Sequence, residues 1–117
     1  MNRYYQNALK YIGTPYKAGE MDCSMLICLA TGNGRIWHTG MGKPPPGMKQ
    51  IKIPNLARFF DCVKIGDVFV WSGHAAFFAG GERLFHAQKP GTVVGYTNDL
   101  KLYWIKSRGY PLVYRQA

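Results

Sequence analysis

The chain has 117 residues, 47% hydrophobic and 18% charged, a balance that excludes a disordered segment and suits one domain, 1–117, with a buried core. Fifteen Lys and Arg against six Asp and Glu give a net charge of +9, which favours an anionic partner (nucleic acid, a membrane surface or an anionic polymer) or is simply a basic surface. The basic residues run from Arg3 to Arg115 without a block of five, which speaks against a dedicated nucleic-acid arm. No apolar run approaches the roughly 20 residues of a membrane span, and Met1 to Lys10 lacks the apolar core of a signal peptide.

In chain order, Tyr5, Ala8, Leu9 and Ile12 form the apolar stripe of a first helix, which Gly13-Thr14-Pro15 ends. Asp22 is the N-cap candidate of a second helix, Asp22 to Ala30, with Leu26, Leu29 and Ala30 at helical spacing and Thr31-Gly32-Asn33-Gly34 as its stop. Arg35 to Pro54, with Gly and Pro throughout, reads as a long irregular loop. Asn55 to Asp61 forms a short helix with Leu56, Phe59 and Phe60 inward, and Lys64 to Asp67 is a turn. The period then changes. Val68 to Trp71, His74 to Ala79, Leu84 to Ala87, Thr92 to Tyr96 and Leu112 to Tyr114 predict five short strands in an antiparallel meander. Helices first and strands later is an α+β order.

Three Cys, at 23, 28 and 62, make neither a disulfide framework nor a zinc set. Cys23 stands at the first turn of the second helix, where unpaired backbone N–H groups and the helix dipole favour a thiolate. Cys28 falls mid-helix and Cys62 before a turn. A thiolate nucleophile needs an imidazole to exchange its proton. His74 begins a strand and His86 ends the next, so the two can share one sheet surface. That gives a nucleophile, a base and an orienting group in line. Spacing alone leaves the other reading open, in which Cys23 is a buried thiol and the histidines are polar strand ends. His38 reads as a surface residue, Asp67 as a turn residue, and Trp71 as core, while Trp37 and Trp104 are candidates for a groove wall.

Tyr11-Ile12-Gly13-Thr14-Pro15-Tyr16 followed by Met21-Asp22-Cys23-Ser24 resembles the opening of the NlpC-type cell-wall peptidases. Ile65-Gly66-Asp67-Val68, Gly73 to Gly80 and Phe85-His86-Ala87 resemble that family's later pieces in order and spacing. The likeness runs from about Tyr5 to Ala87, with Met25 where the family usually has Gly. It implies a papain-like α+β fold, with the Cys helix packed on an antiparallel sheet of about five strands. It implies hydrolysis of a peptidoglycan stem-peptide amide by Cys23, His74 and His86, with Tyr16, Asp22 and Ser24 lining the substrate or oxyanion position. No metal or cofactor is expected. A small, basic chain of this kind fits a lytic effector or phage enzyme, acting on the wall after delivery by a secretion apparatus or a phage, or as part of a longer chain. An effector of that kind calls for an immunity protein. Two alternatives stand beside it: a papain-like acyltransferase or lipid hydrolase, and a non-enzymatic basic module that binds cell wall or nucleic acid.

Overall fold

The computed structural model describes residues 2–32 and 37–117. The Asn33-Gly34 part of the expected helix stop and the expected start of the loop at Arg35 lie outside the described residues.

Helix α1, Arg3–Leu9, begins where the Asn2 side chain accepts from the Tyr5 N–H, 3.1 Å, and buries Tyr5 and Ala8. It ends earlier than the stripe suggests: Ile12 lies in a turn beyond it and is 57% exposed. Gly13 then takes φ +87°, and its N–H goes to the Val94 carbonyl, 2.8 Å, rather than back into the helix. Helix α2, Cys23–Thr31, is capped by Asp22, whose Oδ1 accepts from the Met25 N–H, 2.8 Å. It closes on Gly32 in the left-handed conformation, which a residue without Cβ adopts freely.

Six strands among the described residues form one antiparallel sheet: β1 Met48–Gln50, β2 Val68–Trp71, β3 His74–Phe78, β4 Leu84–His86, β5 Gly95–Thr97 and β6 Leu112–Gln116. Their spatial order is β1-β6-β2-β3-β4-β5. The architecture is thus the expected α+β, with one strand more than expected. The extra strand, β1, lies inside the segment read as irregular loop and pairs with the far end of the chain, Lys49 opposite Arg115. Three residues with only Met48 buried are too few for an alternating pattern, and the partner is remote in sequence. The expected strand Thr92 to Tyr96 divides in two. Gly95–Thr97 pairs with β4, while Thr92 and Val94 hold the α1–α2 connection, the Tyr16 N–H donating to the Thr92 carbonyl at 2.9 Å.

The sheet is covered on both faces. Against α1 and α2 lie Val68, Val70, Ala75, Phe77 and Phe85. Phe69, Trp71, Ala76, Phe78 and Leu84 face a second cluster built from Phe59, Leu100 and Trp104. Phe59 comes from a 3-10 turn, Leu56–Arg58, running into the short helix α3, Phe59–Cys62. Leu56 does not turn inward as expected but is 50% exposed, because Asn55 caps the 3-10 turn and the inward place falls to Phe59. Leu100 and Trp104 belong to a π-helical segment, Leu100–Ile105, followed by α4, Lys106–Arg108.

Candidate active site

The β2–β3 hairpin fixes the site. Trp71 pairs with His74 across the two-residue turn Ser72-Gly73, with Gly73 at φ +79°. The residues flanking a two-residue turn exchange both backbone hydrogen bonds, so the next amide, Ala75 N–H, points away from β2. On that side the β3–β4 pairing runs from Phe77 and Phe78, and the Ala75 amide lies near enough to the Cys23 sulfur to favour its thiolate. Helix α2 therefore delivers its first residue to the strand position next to His74.

His74 and His86 lie an even number of residues from the paired Phe78 and Leu84, so they share a face, as expected. His74 Nε2 is 2.7 Å from His86 Nδ1. His86 Nε2 is 2.8 Å from Thr97 Oγ1, and the Thr97 hydroxyl donates to Asp99 Oδ1 at 2.6 Å. Sequence reasoning did not find Thr97 or Asp99. A Thr in a strand and an Asp after it are common, and only the β4–β5 pairing brings them to His86. Trp104 stacks on His74, centroids 4.3 Å apart and planes 13° apart, and Arg108 sits over the Trp104 ring at 5.1 Å. Both histidines are buried, 4% and 1% exposed. Burial lowers His74 to about 3, helped by the charges of His86 and Arg108 and opposed by Asp99. Burial alone lowers His86 to about 4.

The expectation of a lowered Cys23 pKa is not met. Burial pushes the thiol up, and the nearby Asp22 charge adds to it. The Ala75 amide, the Ser24 hydroxyl and the Ser24 amide act the other way. The desolvation of a half-buried sulfur outweighs its place at the helix start. Burial thus pushes both Cys23 and His74 towards their neutral forms.

The other expected residues gather round Cys23. Tyr16 is close enough that the charges of Asp22 and Cys23, after burial, raise its pKa. Ser24 is buried, and its hydroxyl acts on the Cys23 thiol in the direction of the thiolate. Asp22 has both carboxylate oxygens on backbone amides, Met25 N at 2.8 Å and Gly19 N at 3.1 Å. A carboxylate only accepts, so Asp22 shapes the loop and helix start and cannot donate to an oxyanion. Met25 packs against the α1–α2 core. Outside the site, His38 is exposed and caps a 3-10 turn, Nδ1 accepting from Gly40 N at 3.2 Å. Trp37 is buried with Nε1 on the Lys43 carbonyl, 2.8 Å, and Trp71 is buried in the sheet; neither lines the cleft beside the histidines. Cys28 is fully buried, donating to the Trp37 carbonyl.

A cleft of about 410 Å³ beside the histidines is lined by Gln88, Lys89, Asp99, Tyr103, Trp104 and Arg108. A larger one, about 480 Å³, by Asn2, Arg3, Asp67 and Arg115 contains none of the candidate residues. Among the described residues no three His, Cys, Asp or Glu side chains come together as a metal set.

An antiparallel sheet packed on a helix with Cys at its first position defines the fold class as papain-like α+β. Solved structures narrow it. The chain aligns over 97% of its length with a protein described as similar to lipoprotein, of the NLP/P60 family, from Staphylococcus aureus subsp. aureus Mu50, with a TM-score of 0.60 and 24% identity. It spans 40% of that chain. It aligns over 98% of its length with the NlpC/p60 domain of the peptidoglycan hydrolase SagA, TM-score 0.59 and 25% identity, covering 97% of that domain. These neighbours support the NlpC-type family that the motifs resemble. No family model and no curated protein matches the sequence.

Proposed function

We propose that this chain is a single-domain cysteine amidase that cuts an amide bond in peptidoglycan stem peptides through an acyl-enzyme on Cys23. One observation carries the reading. His74 uses Nε2 on His86 at 2.7 Å, which leaves Nδ1 for chemistry, and the amide of the adjacent residue, Ala75, acts on the Cys23 sulfur. The neighbour described as a peptidoglycan hydrolase supports the substrate class.

In this reading His74 Nδ1 takes the Cys23 proton as sulfur attacks the carbonyl carbon. The Cys23 N–H, at the first helical position and without an intrahelical carbonyl to bond, donates to the oxyanion. The imidazolium then protonates the departing amine from the same nitrogen. Water, deprotonated by His74, attacks the acyl-enzyme and frees the acid and the thiol. Tyr16, close to Asp22 and Cys23, lines the substrate position. The net charge of +9 suits an anionic wall, and no helix among the described residues is long and apolar enough to cross a membrane. Action on the wall as a delivered lytic effector or phage enzyme fits both.

Incubation with purified peptidoglycan, followed by mass spectrometry of the fragments, tests the proposal. New free amines at one stem-peptide bond, absent with Cys23→Ala, are expected. Intact muropeptides with phospholipid turnover, or binding without turnover that Cys23→Ala leaves unchanged, would overturn it.

A further inference from the structure

The chain of hydrogen bonds from His74 through His86 and Thr97 to Asp99 has a direction, and its far end sets it. A neutral imidazole has one N–H and one bare nitrogen, and a hydroxyl can both donate and accept. Such a chain is self-consistent in two senses. In one, every group donates towards Asp99, and His74 carries its proton on Nε2 with Nδ1 bare. In the other, every group donates towards His74, whose Nδ1 then holds the proton. Only the first leaves His74 Nδ1 able to accept a proton.

We propose that Asp99 selects the first sense, acting through Thr97 and His86 as the positioning residue that keeps His74 Nδ1 free of its proton. A carboxylate can only accept, so Thr97 must donate to Asp99, 2.6 Å. The Thr97 oxygen must then accept from His86 Nε2–H, 2.8 Å. His86 Nδ1 is thereby bare and accepts from His74 Nε2–H, 2.7 Å. No proton travels along the chain. Its effect is to hold both tautomers and, once His74 has taken the Cys23 proton on Nδ1, to face the new cation with oriented dipoles that end in a negative charge.

The ordinary alternative is that Asp99 is a helix cap. Its backbone carbonyl does accept from the Tyr103 and Trp104 amides, 3.0 and 3.2 Å, at the start of the π-helical segment. Its side chain, however, makes no cap hydrogen bond there and is spent on Thr97. The same residue thus fixes the segment that brings Trp104 onto His74 and the tautomer of His74 itself.

This inference rests on the proposed hydrolase reading for its consequence in rate but not for the tautomers, so the two can fail separately. Histidine-labelled protein, examined by long-range proton–nitrogen correlation near neutral pH, should show His74 and His86 both protonated on Nε2. Asp99→Asn replaces the carboxylate by a group that donates or accepts equally well, so both rings should become mixed in tautomer. Against a stem-peptide substrate kcat should fall on the order of 10- to 100-fold with KM unchanged. That is less than the ~10⁴-fold seen when a directly bonded aspartate is lost, because two links intervene. Thr97→Val should reproduce the effect, and Thr97→Ser, which keeps the hydroxyl, should restore it. Either histidine protonated on Nδ1 in the unaltered protein, or Asp99→Asn with tautomers unchanged, overturns the inference. Tautomers as stated in a protein that hydrolyses nothing would sustain it and remove the hydrolase reading instead.

Discussion

The ring of His74 lies against that of Trp104 almost in parallel, 13° apart in plane and 4.3 Å between centroids. A neutral imidazole gains packing from this contact. An imidazolium also gains the attraction of the indole face, about 2 kcal/mol or more where water is excluded. The stack therefore favours the form that His74 takes only during the proposed reaction, which is where catalytic stabilisation counts. Trp104→Phe keeps a face and should retain most of the activity. Trp104→Leu should lower kcat by about ten- to thirtyfold with little change in KM. Steady-state rates on muropeptides decide it, and equal rates for the two variants would show the stack to be packing alone.

The same burial makes stability depend on pH. His74 is lowered to about 3 and His86 to about 4, while both titrate near 6.5 in the unfolded chain. Between these values the unfolded state binds more protons, so stability rises with pH. It is complete above about 6.5 and is lost as pH falls towards 4 and then 3. The loss should reach a few kcal/mol, visible as a melting temperature that drops steadily below pH 6.5. His86→Asn should shorten that drop. A melting temperature flat from pH 7 to 4 contradicts the buried, neutral pair.

How much of this was legible in the sequence depends on how far each signal reaches along the chain. Cys23, His74 and His86 could be proposed from sequence because each sits in a short motif at an element boundary. Asp22 announced the helix, and Gly73 the hairpin. Thr97 and Asp99 could not, since their role exists only once β5 pairs with β4, Leu84 opposite Thr97. Trp104 could be noticed but not placed, because it lies in a π-helical segment whose period differs from the 3.6 sought in a helix scan. Strand β1 and its partner β6 are separated by about half of the chain. The thiol of Cys23 was misjudged for a different reason. The helix start is visible in sequence, whereas the burial that outweighs it is set by what packs around the sulfur.

Asp67 was read as a turn residue, and it does accept the Lys64 N–H at 2.8 Å. It is also 1% exposed and bound by Arg115 through two hydrogen bonds of 2.8 Å, tying the start of β2 to β6. Arg115 further donates to the Cys62 carbonyl, 3.0 Å. Removing one partner of a buried pair strands the other charge. Arg115→Met should cost about 3–5 kcal/mol by urea denaturation, and adding Asp67→Asn should recover part of it. A loss under about 1 kcal/mol is what an exposed pair would give and would rule out this account.

Finally, the raised pKa of Cys23 separates two ways of using a thiol. A standing thiolate–imidazolium pair would be alkylated quickly at neutral pH and would lose that reactivity only in acid. A neutral pair is alkylated slowly until pH exceeds the ordinary thiol range, and it forms thiolate only as His74 takes the proton during attack. Iodoacetamide labelling of a Cys62→Ser variant, with Cys28 buried, should therefore stay slow near neutral pH and rise steeply only above the ordinary thiol range of about 8.5. Ser24→Ala removes a donor to the sulfur and should shift that rise to still higher pH. Labelling that is fast and level from pH 5 to 8 would mean that Cys23 rests as a thiolate, and that the closed, desolvated site described here opens before it reacts.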